Sequence, residues 1–222
     1  IKIFALYHDN KPIFKNDLIT PLLTGACSKD IEFDGYKDNT GDNISSKNRL
    51  WAELTGQYWV LKNYIPQNPN LEYVGFCHYR RFFSPKDFND FQKYDILIGN
   101  KYKFTTTLYN QYKNVHHEFD IDVLIGLLKQ KYSEKSVLSF INKKELYAPC
   151  NMFIMKKDLF FQYCDFIFPK LFKLEKMILL DNTNNVIGLD NLPFSIKKPL
   201  LCTLKLPEIG FNPACNPATS VI

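Results

Sequence analysis

Leu71-Glu72-Tyr73-Val74-Gly75-Phe76-Cys77-His78-Tyr79-Arg80-Arg81-Phe82-Phe83 is a short apolar run that ends abruptly in His-Tyr-Arg-Arg. The run reads as a buried strand, and the carboxyl end of a strand is where α/β proteins hold ligands. Two adjacent arginines among aromatics call for an anion, and the planar guanidinium fork suits phosphate or carboxylate. The plainer alternative puts one arginine on a loop carboxylate and leaves the other solvated. His78 has the same two sides: a satisfied interior histidine, or a phosphate donor, metal ligand or proton-transfer group.

Working outward, Ile1 to His8 is a second buried strand, which brings Tyr7 and His8 to a strand end as well. Asp30 to Asn48 is dense in turn formers, and Asn43, Ser45 or Ser46 can cap the helix that follows. That helix runs from about Lys47 to Tyr64, with Leu50, Leu54, Tyr58 and Leu61 as its apolar stripe and Pro66 and Pro69 at its end. Tyr94 to Gly99 is another strand, and Lys101 to Asn114 reads as a polar, tyrosine-rich loop covering a ligand. Asp120 caps a helix striped by Ile121, Leu124, Ile125 and Leu128; a β-rich stretch, Leu146 to Met155, and a long aromatic helix, Lys157 to about Leu180, follow. Alternating strands and helices predict an α/β fold with a mostly parallel sheet flanked by helices. The expected organisation is a single domain over 1–222, with a core at about 1–180 and an irregular, proline-punctuated tail from 181 to 222.

A chain of 222 residues with 45% hydrophobic content can fill one core. The six cysteines are scattered, with no Cys-x-x-Cys pair, which predicts free thiols and a cytoplasmic setting. No run approaches the ~18 apolar residues of a membrane span, and no export signal opens the sequence. A net charge of +5, spread and not massed, argues against nucleic acid as partner.

Asp38 to Asn48 offers a second anion site. A Gly/Asp/Asn turn entering a helix presents amides and a positive dipole end, with Asp42, Asn43, Lys47 and Asn48 as its polar groups. An ordinary capped loop has the same composition, and the glycine spacing matches neither a P-loop nor a Rossmann fingerprint. Asp120-Ile121-Asp122 has the Asp-x-Asp spacing of a metal site, but it opens an amphipathic helix, where capping explains it. His116, His117 and Asp120 are acid/base candidates. Asn151, an isolated amide in an apolar stretch, needs a partner, either backbone or a sugar hydroxyl.

In combination, Asp38-Asn39-Thr40-Gly41-Asp42-Asn43-Ile44-Ser45, Glu53-Leu54-Thr55, Gly75 to Phe83 and Asn151-Met152-Phe153-Ile154-Met155 resemble, in order, a bacterial domain family of capsular and exopolysaccharide gene clusters. Its members are regarded as GT-A-like glycosyltransferases. The resemblance implies a GT-A-like fold that moves a hexose from a nucleoside-diphosphate sugar, a UDP-sugar above all, onto a growing capsular or exopolysaccharide glycan. Donor contacts are then expected from Tyr7, His8, Asp42, Asn43, Lys47, Asn48, His78, Arg80 and Arg81, and a sugar contact from Asn151. A cytoplasmic location follows, with peripheral membrane association where the acceptor is lipid-linked. GT-A enzymes end the equivalent strand in Asp-x-Asp with a divalent metal, whereas this chain has His78-Tyr79-Arg80-Arg81, implying that cations meet the diphosphate directly. No cofactor and no metal ligand is then needed; Mg²⁺ or Mn²⁺ on converging carboxylates is the alternative. One departure stands out: the family's Gly-aromatic-x-x-Glu-Arg-Leu pattern is here Gly188-Leu189-Asp190 and onward. The catalytic candidates are therefore Asp190, Asp120 and His117, and a catalytically silent glycan- or nucleotide-binding module is the competing reading.

Overall fold

The structure, a computed structural model, describes residues 1–84, 88, 93–99, 102–114, 116, 118–146, 151–181 and 217–219. Its strands are β1 (Lys2–Tyr7), β2 (Ile19–Leu23), β3 (Tyr36–Lys37), β4 (Tyr73–His78), β5 (Ile96–Ile98), β6 (Tyr102–Lys103), β7 (Glu145–Leu146), β8 (Phe153–Lys156) and β9 (Pro217–Thr219). β6 and β7 pair with each other, and the rest form one sheet in the order β3-β2-β1-β4-β8-β5-β9. All its strands run parallel except β8, which lies antiparallel between β4 and β5. The expected α/β architecture with a mostly parallel, helix-flanked sheet is what the chain forms.

The reversal of β8 matters for the site. Phe153 pairs with Phe76 of β4 and with Ile98 of β5, so the residues just before β8, Asn151 and Met152, lie at the carboxyl ends of the parallel strands. β1 and β4 are aligned Leu6 to His78, which brings Tyr7 and His8 to the same rim.

β2 is not evident from sequence because Pro21 sits in its middle, and proline normally demotes a strand. The bond pattern shows why it is tolerated. The Leu18 carbonyl accepts from Ile3 N–H and Thr24 N–H donates to the Tyr7 carbonyl, so even-numbered residues face β1 and Pro21 turns its missing donor away. On that far side, β3 begins pairing only at Leu22.

The helices are α1 (Asn48–Trp51), α2 (Leu54–Trp59), α3 (Ile65–Gln67), α4 (Leu108–Lys113), α5 (Glu118–Lys129), α6 (Glu134–Ile141) and α7 (Lys157–Asp181). The helix expected over Lys47 to Tyr64 is thus broken. Ala52 has φ 44° and ψ −127°, a conformation costly for any residue with a Cβ, and it separates α1 from α2. Val60 to Tyr64 then form a π turn just before Pro66, where a proline without N–H cannot close a normal helical bond.

Two apolar layers sandwich the sheet. Phe4, Leu6, Leu22, Val74, Phe76, Phe153 and Met155 face α1, α2, α5 and α7 through Trp51, Leu54, Leu128, Phe160 and Tyr163. Ile3, Ala5, Tyr7, Leu23, Cys77 and Ile154 face the other way and are covered by loop residues such as Ile13, Phe33 and Phe83.

Three local expectations are corrected. The loop expected over Lys101 to Asn114 contains β6 and α4, whose first turn is capped by the Thr107 hydroxyl accepting from Asn110 N–H at 3.2 Å. Asp120 is not a cap; α5 begins at Glu118, and Asp120 lies buried within the first turn. Of the tail expected to be irregular, 217–219 is a strand and the remainder lies outside the described residues. Cys27, Cys77 and Cys164 are free thiols as expected, while Cys150, Cys202 and Cys215 fall outside the described residues. No described helix is long and apolar enough to cross a membrane.

Candidate functional site: the His78 corner

β4 ends in a tight reversal. His78 N–H donates to the Arg81 carbonyl at 3.1 Å, and Arg81 N–H donates back to the His78 carbonyl at 3.0 Å, leaving Tyr79 and Arg80 at the tip. Tyr79 N–H bonds the Leu6 carbonyl at 3.2 Å, tying the tip to β1. Around the Tyr79 ring stand His78 at 4.5 Å, His8 at 5.0 Å and Tyr7 at 5.8 Å between centroids, with the Arg80 guanidinium at 4.9 Å. Both arginines are exposed. Stacking on Tyr79 orders the Arg80 guanidinium while leaving its N–H fork open to solvent.

His78 follows Phe76 by two residues, so its side chain leaves the strand on the helix-covered face. Its Nδ1 is buried without a partner among the described groups. Burial holds the imidazole pKa below the ordinary histidine value; the Glu53 carboxylate opposes that shift, and Arg81, Arg80 and His8 add to it. Glu53 directly follows the strained Ala52, so backbone strain sits beside the imidazole. Strain of this kind persists where surrounding structure over-determines it, as at functional sites. Glu53, quoted from sequence only within the segment that carries the family resemblance, was not among the candidate site residues; its signal is structural, an alanine in a glycine-like conformation just before it.

Asn151 completes the rim. It has φ 54°, is only 5% exposed, and its Nδ2 finds no partner among the described groups. A buried amide donor without a partner costs about 1–3 kcal/mol, which makes Asn151 Nδ2 a candidate donor to a ligand or a bridging water.

The Asp38 to Asn48 loop is organised differently. The Asp38 carboxylate is fully buried and accepts from Gly25 N–H at 2.9 Å, Ala26 N–H at 3.0 Å, the Ser45 hydroxyl at 2.5 Å and the Thr55 hydroxyl at 2.6 Å. Asp42 is clasped by Asn63, whose Oδ1 accepts the Asp42 N–H at 3.1 Å and whose Nδ2 donates to its carbonyl at 2.8 Å. Gly41, at φ 58°, makes room: a Cβ there would sit 1.9 Å from Asn63 Oδ1. Asn43 bonds Gly41 and Ser45 within the loop, Lys47 pairs with Glu175 of α7 at 2.8 Å, and Asn48 bonds Ala52 and Thr55. The loop is thus tied to α2 and α7, and it buttresses the rim through Thr55 and Ala52.

The structure therefore brings Tyr7, His8, His78, Arg80 and Arg81 to one corner, with Asn151 at the same rim. Tyr7 is fully buried and its hydroxyl accepts from Phe14 N–H at 2.9 Å. Asp120 belongs to another neighbourhood, where burial and then Asp120 raise the pKa of Tyr112. His117 and Asp190 lie outside the described residues. Among the described residues, no three His, Cys, Asp or Glu side chains gather to hold a metal. Among the described residues, the groups that meet at this corner are the imidazoles of His8 and His78, the guanidinium groups of Arg80 and Arg81, and the Glu53 carboxylate beside His78; the guanidinium groups suit an anion.

The fold has a solved counterpart. The structure titled "WbbM bifunctional glycosytransferase apo structure" superposes with a TM-score of 0.73 at 26% identity, over 91% of this chain and 40% of that one. The chain thus spans about two fifths of that protein's length. No curated protein matches the chain. The family model described as "Domain of unknown function (DUF4422)" matches residues 2–187, and the chain belongs to that family.

Proposed function

We propose that this domain is a glycosyltransferase of GT-A type, transferring a hexose from a nucleoside-diphosphate sugar, most simply a UDP-sugar, to a growing capsular or exopolysaccharide glycan. The observation that carries the reading is the cationic corner at the carboxyl end of β4. The bifunctional glycosyltransferase of similar fold supports the reaction class.

In the transfer, the bond between the anomeric carbon and the diphosphate oxygen breaks, and negative charge grows on the leaving diphosphate. Arg80, ordered on Tyr79, and Arg81, anchored by the His78 turn, neutralise that charge without a metal. His78, held towards its neutral form, donates to a phosphate oxygen through one ring nitrogen. Asn151 Nδ2 donates to a sugar hydroxyl, which relieves its burial. Glu53, beside His78, joins Asp190 as a candidate to take the proton of the attacking acceptor hydroxyl; Asp120, buried beside Tyr112, is too far from the corner for that role.

Incubating the protein with a panel of nucleotide sugars in chelator, and measuring nucleoside diphosphate release with and without glycan acceptor, tests the reading. Release that survives chelation is expected; complete loss that added Mn²⁺ restores would contradict it. A protein that binds nucleotide but never releases sugar would be a silent binding module instead.

A further inference from the structure

A second cationic surface lies on α7, apart from the His78 corner. α7 leaves β8 at the amino end of β4, where Lys157 N–H bonds the Glu72 carbonyl at 2.8 Å. It then runs back along the sheet. At ~1.5 Å per residue its 25 residues outreach a six-residue strand of ~20 Å. Its later turns accordingly reach the carboxyl end, where Glu175 meets Lys47 and Trp51.

On those turns Phe166, Lys170, Lys173 and Met177 follow at intervals of 4, 3 and 4, a single helical stripe. The Lys170 ammonium stands 3.8 Å over the Phe166 ring and donates to the Phe166 carbonyl at 2.6 Å. Lys173 reaches Gln130 Oε1 at 3.2 Å, and Tyr132 packs 6.1 Å from Phe166 with Lys131 lying 6.0 Å over its ring. The stripe and the 130–132 turn are therefore one patch. Among the described residues none of Lys131, Lys170 and Lys173 has a carboxylate partner, whereas the neighbouring Lys129 is paired with Glu134. The ammonium pKa of Lys170 is lowered by burial and then by Lys131, so the patch carries unrelieved like-charge repulsion. Met177, 39% exposed, adds an apolar side chain to its edge.

We propose that this patch seats the domain on an anionic phospholipid surface, the three ammonium groups meeting headgroup phosphates while Met177 and the outer edges of Tyr132 and Phe166, whose other faces pack on the core, meet the interfacial layer. Lysines clustered beside an aromatic pair and an exposed methionine suit a charged membrane surface. A soluble polyanion would have no use for the exposed methionine. This goes beyond the transfer reading and does not require it, although it would hold the sheet's carboxyl end at the bilayer.

The test is co-sedimentation with vesicles of phosphatidylcholine alone and of phosphatidylcholine mixed with phosphatidylglycerol, without nucleotide. Binding only to the anionic vesicles, weakening with salt, is expected. The triple variant Lys131→Ala, Lys170→Ala, Lys173→Ala should weaken it roughly 100-fold, and the double variant sparing the half-buried Lys170 roughly 30-fold. Lys2→Ala, in β1 far from the patch, should leave it unchanged. Equal binding to neutral vesicles, no vesicle binding, or indifference to the variants would overturn the proposal. So would capture of soluble dextran sulfate in place of vesicles, which would assign the patch to a polyanion in solution.

Discussion

His78 and Arg81 exchange backbone hydrogen bonds in both directions, at 3.1 and 3.0 Å, so the end of β4 and the chain leaving it are locked into one corner. That lock is made by main chain alone, so replacing the Arg80 or Arg81 side chain leaves these two bonds in place. Arg80→Ala or Arg81→Ala is expected to keep stability within about 0.5 kcal/mol while lowering kcat roughly 10²- to 10³-fold, the usual cost of losing one stabilising donor. Lysine at either position should restore only part of the rate, since a point charge cannot span two phosphate oxygens. Steady-state kinetics beside a denaturant titration reads both quantities.

Asp38 is expected to be a residue of stability, not of chemistry. With four donors converging on its buried carboxylate, Asp38→Ala leaves the Gly25 and Ala26 N–H groups and the Ser45 hydroxyl unmet, while the Thr55 hydroxyl keeps the Ala52 carbonyl, and should cost about 4 kcal/mol. Urea unfolding measures this directly. A cost below about 1 kcal/mol would mean that the loop does not buttress the rim as described.

Ala52→Gly is expected to raise stability by about 1 kcal/mol. The φ of 44° is strained for alanine and open to glycine, and relief of that strain outweighs the added freedom of the unfolded chain. A lower Tm for the variant would show that the break between α1 and α2 is not built this way.

The strand ends were readable because β1, β4 and β5 are apolar runs, and α7 because its aromatics recur at helical spacing. β2 was hidden by Pro21, whose tolerance depends on which neighbour its missing N–H faces. The break at Ala52 was hidden because alanine signals helix, and only packing holds it out of one. At the site, His78, Arg80 and Arg81 announced themselves as charge at the end of an apolar run. Glu53 did not, since its place beside His78 comes from the strained turn. The long-range partners of the Asp42 to Asn48 loop, Asn63 on the Asp42 main chain and Glu175 on the Lys47 ammonium, were not legible, since no local pattern shows them.

Acidification should weaken the fold through His78. Its folded pKa lies below the ordinary value of 6.5, so the neutral form is favoured in the native state. Its contribution is present above the unfolded pKa and is lost as pH falls through the folded one. Stability should therefore decline below about pH 6.5, and His78→Gln should remove that part of the decline. Thermal melts of both proteins across the acidic range make the comparison.

Asn151 allows backbone and amide to be tested apart. Asn151→Gly keeps the φ of 54° without strain and removes the buried amide, so kcat/KM should fall about tenfold or more while Tm holds or rises. Asn151→Ala should lose stability as well.

The central claim, that guanidinium groups and not a metal receive the diphosphate, is tested most directly by calorimetric titration of UDP into metal-free protein in EDTA. The wild type should bind, and the double variant Arg80→Ala, Arg81→Ala should lose at least about 100-fold in affinity at unchanged fold. Binding that appears only when Mg²⁺ or Mn²⁺ is added, and that is equally strong in the double variant, would contradict it.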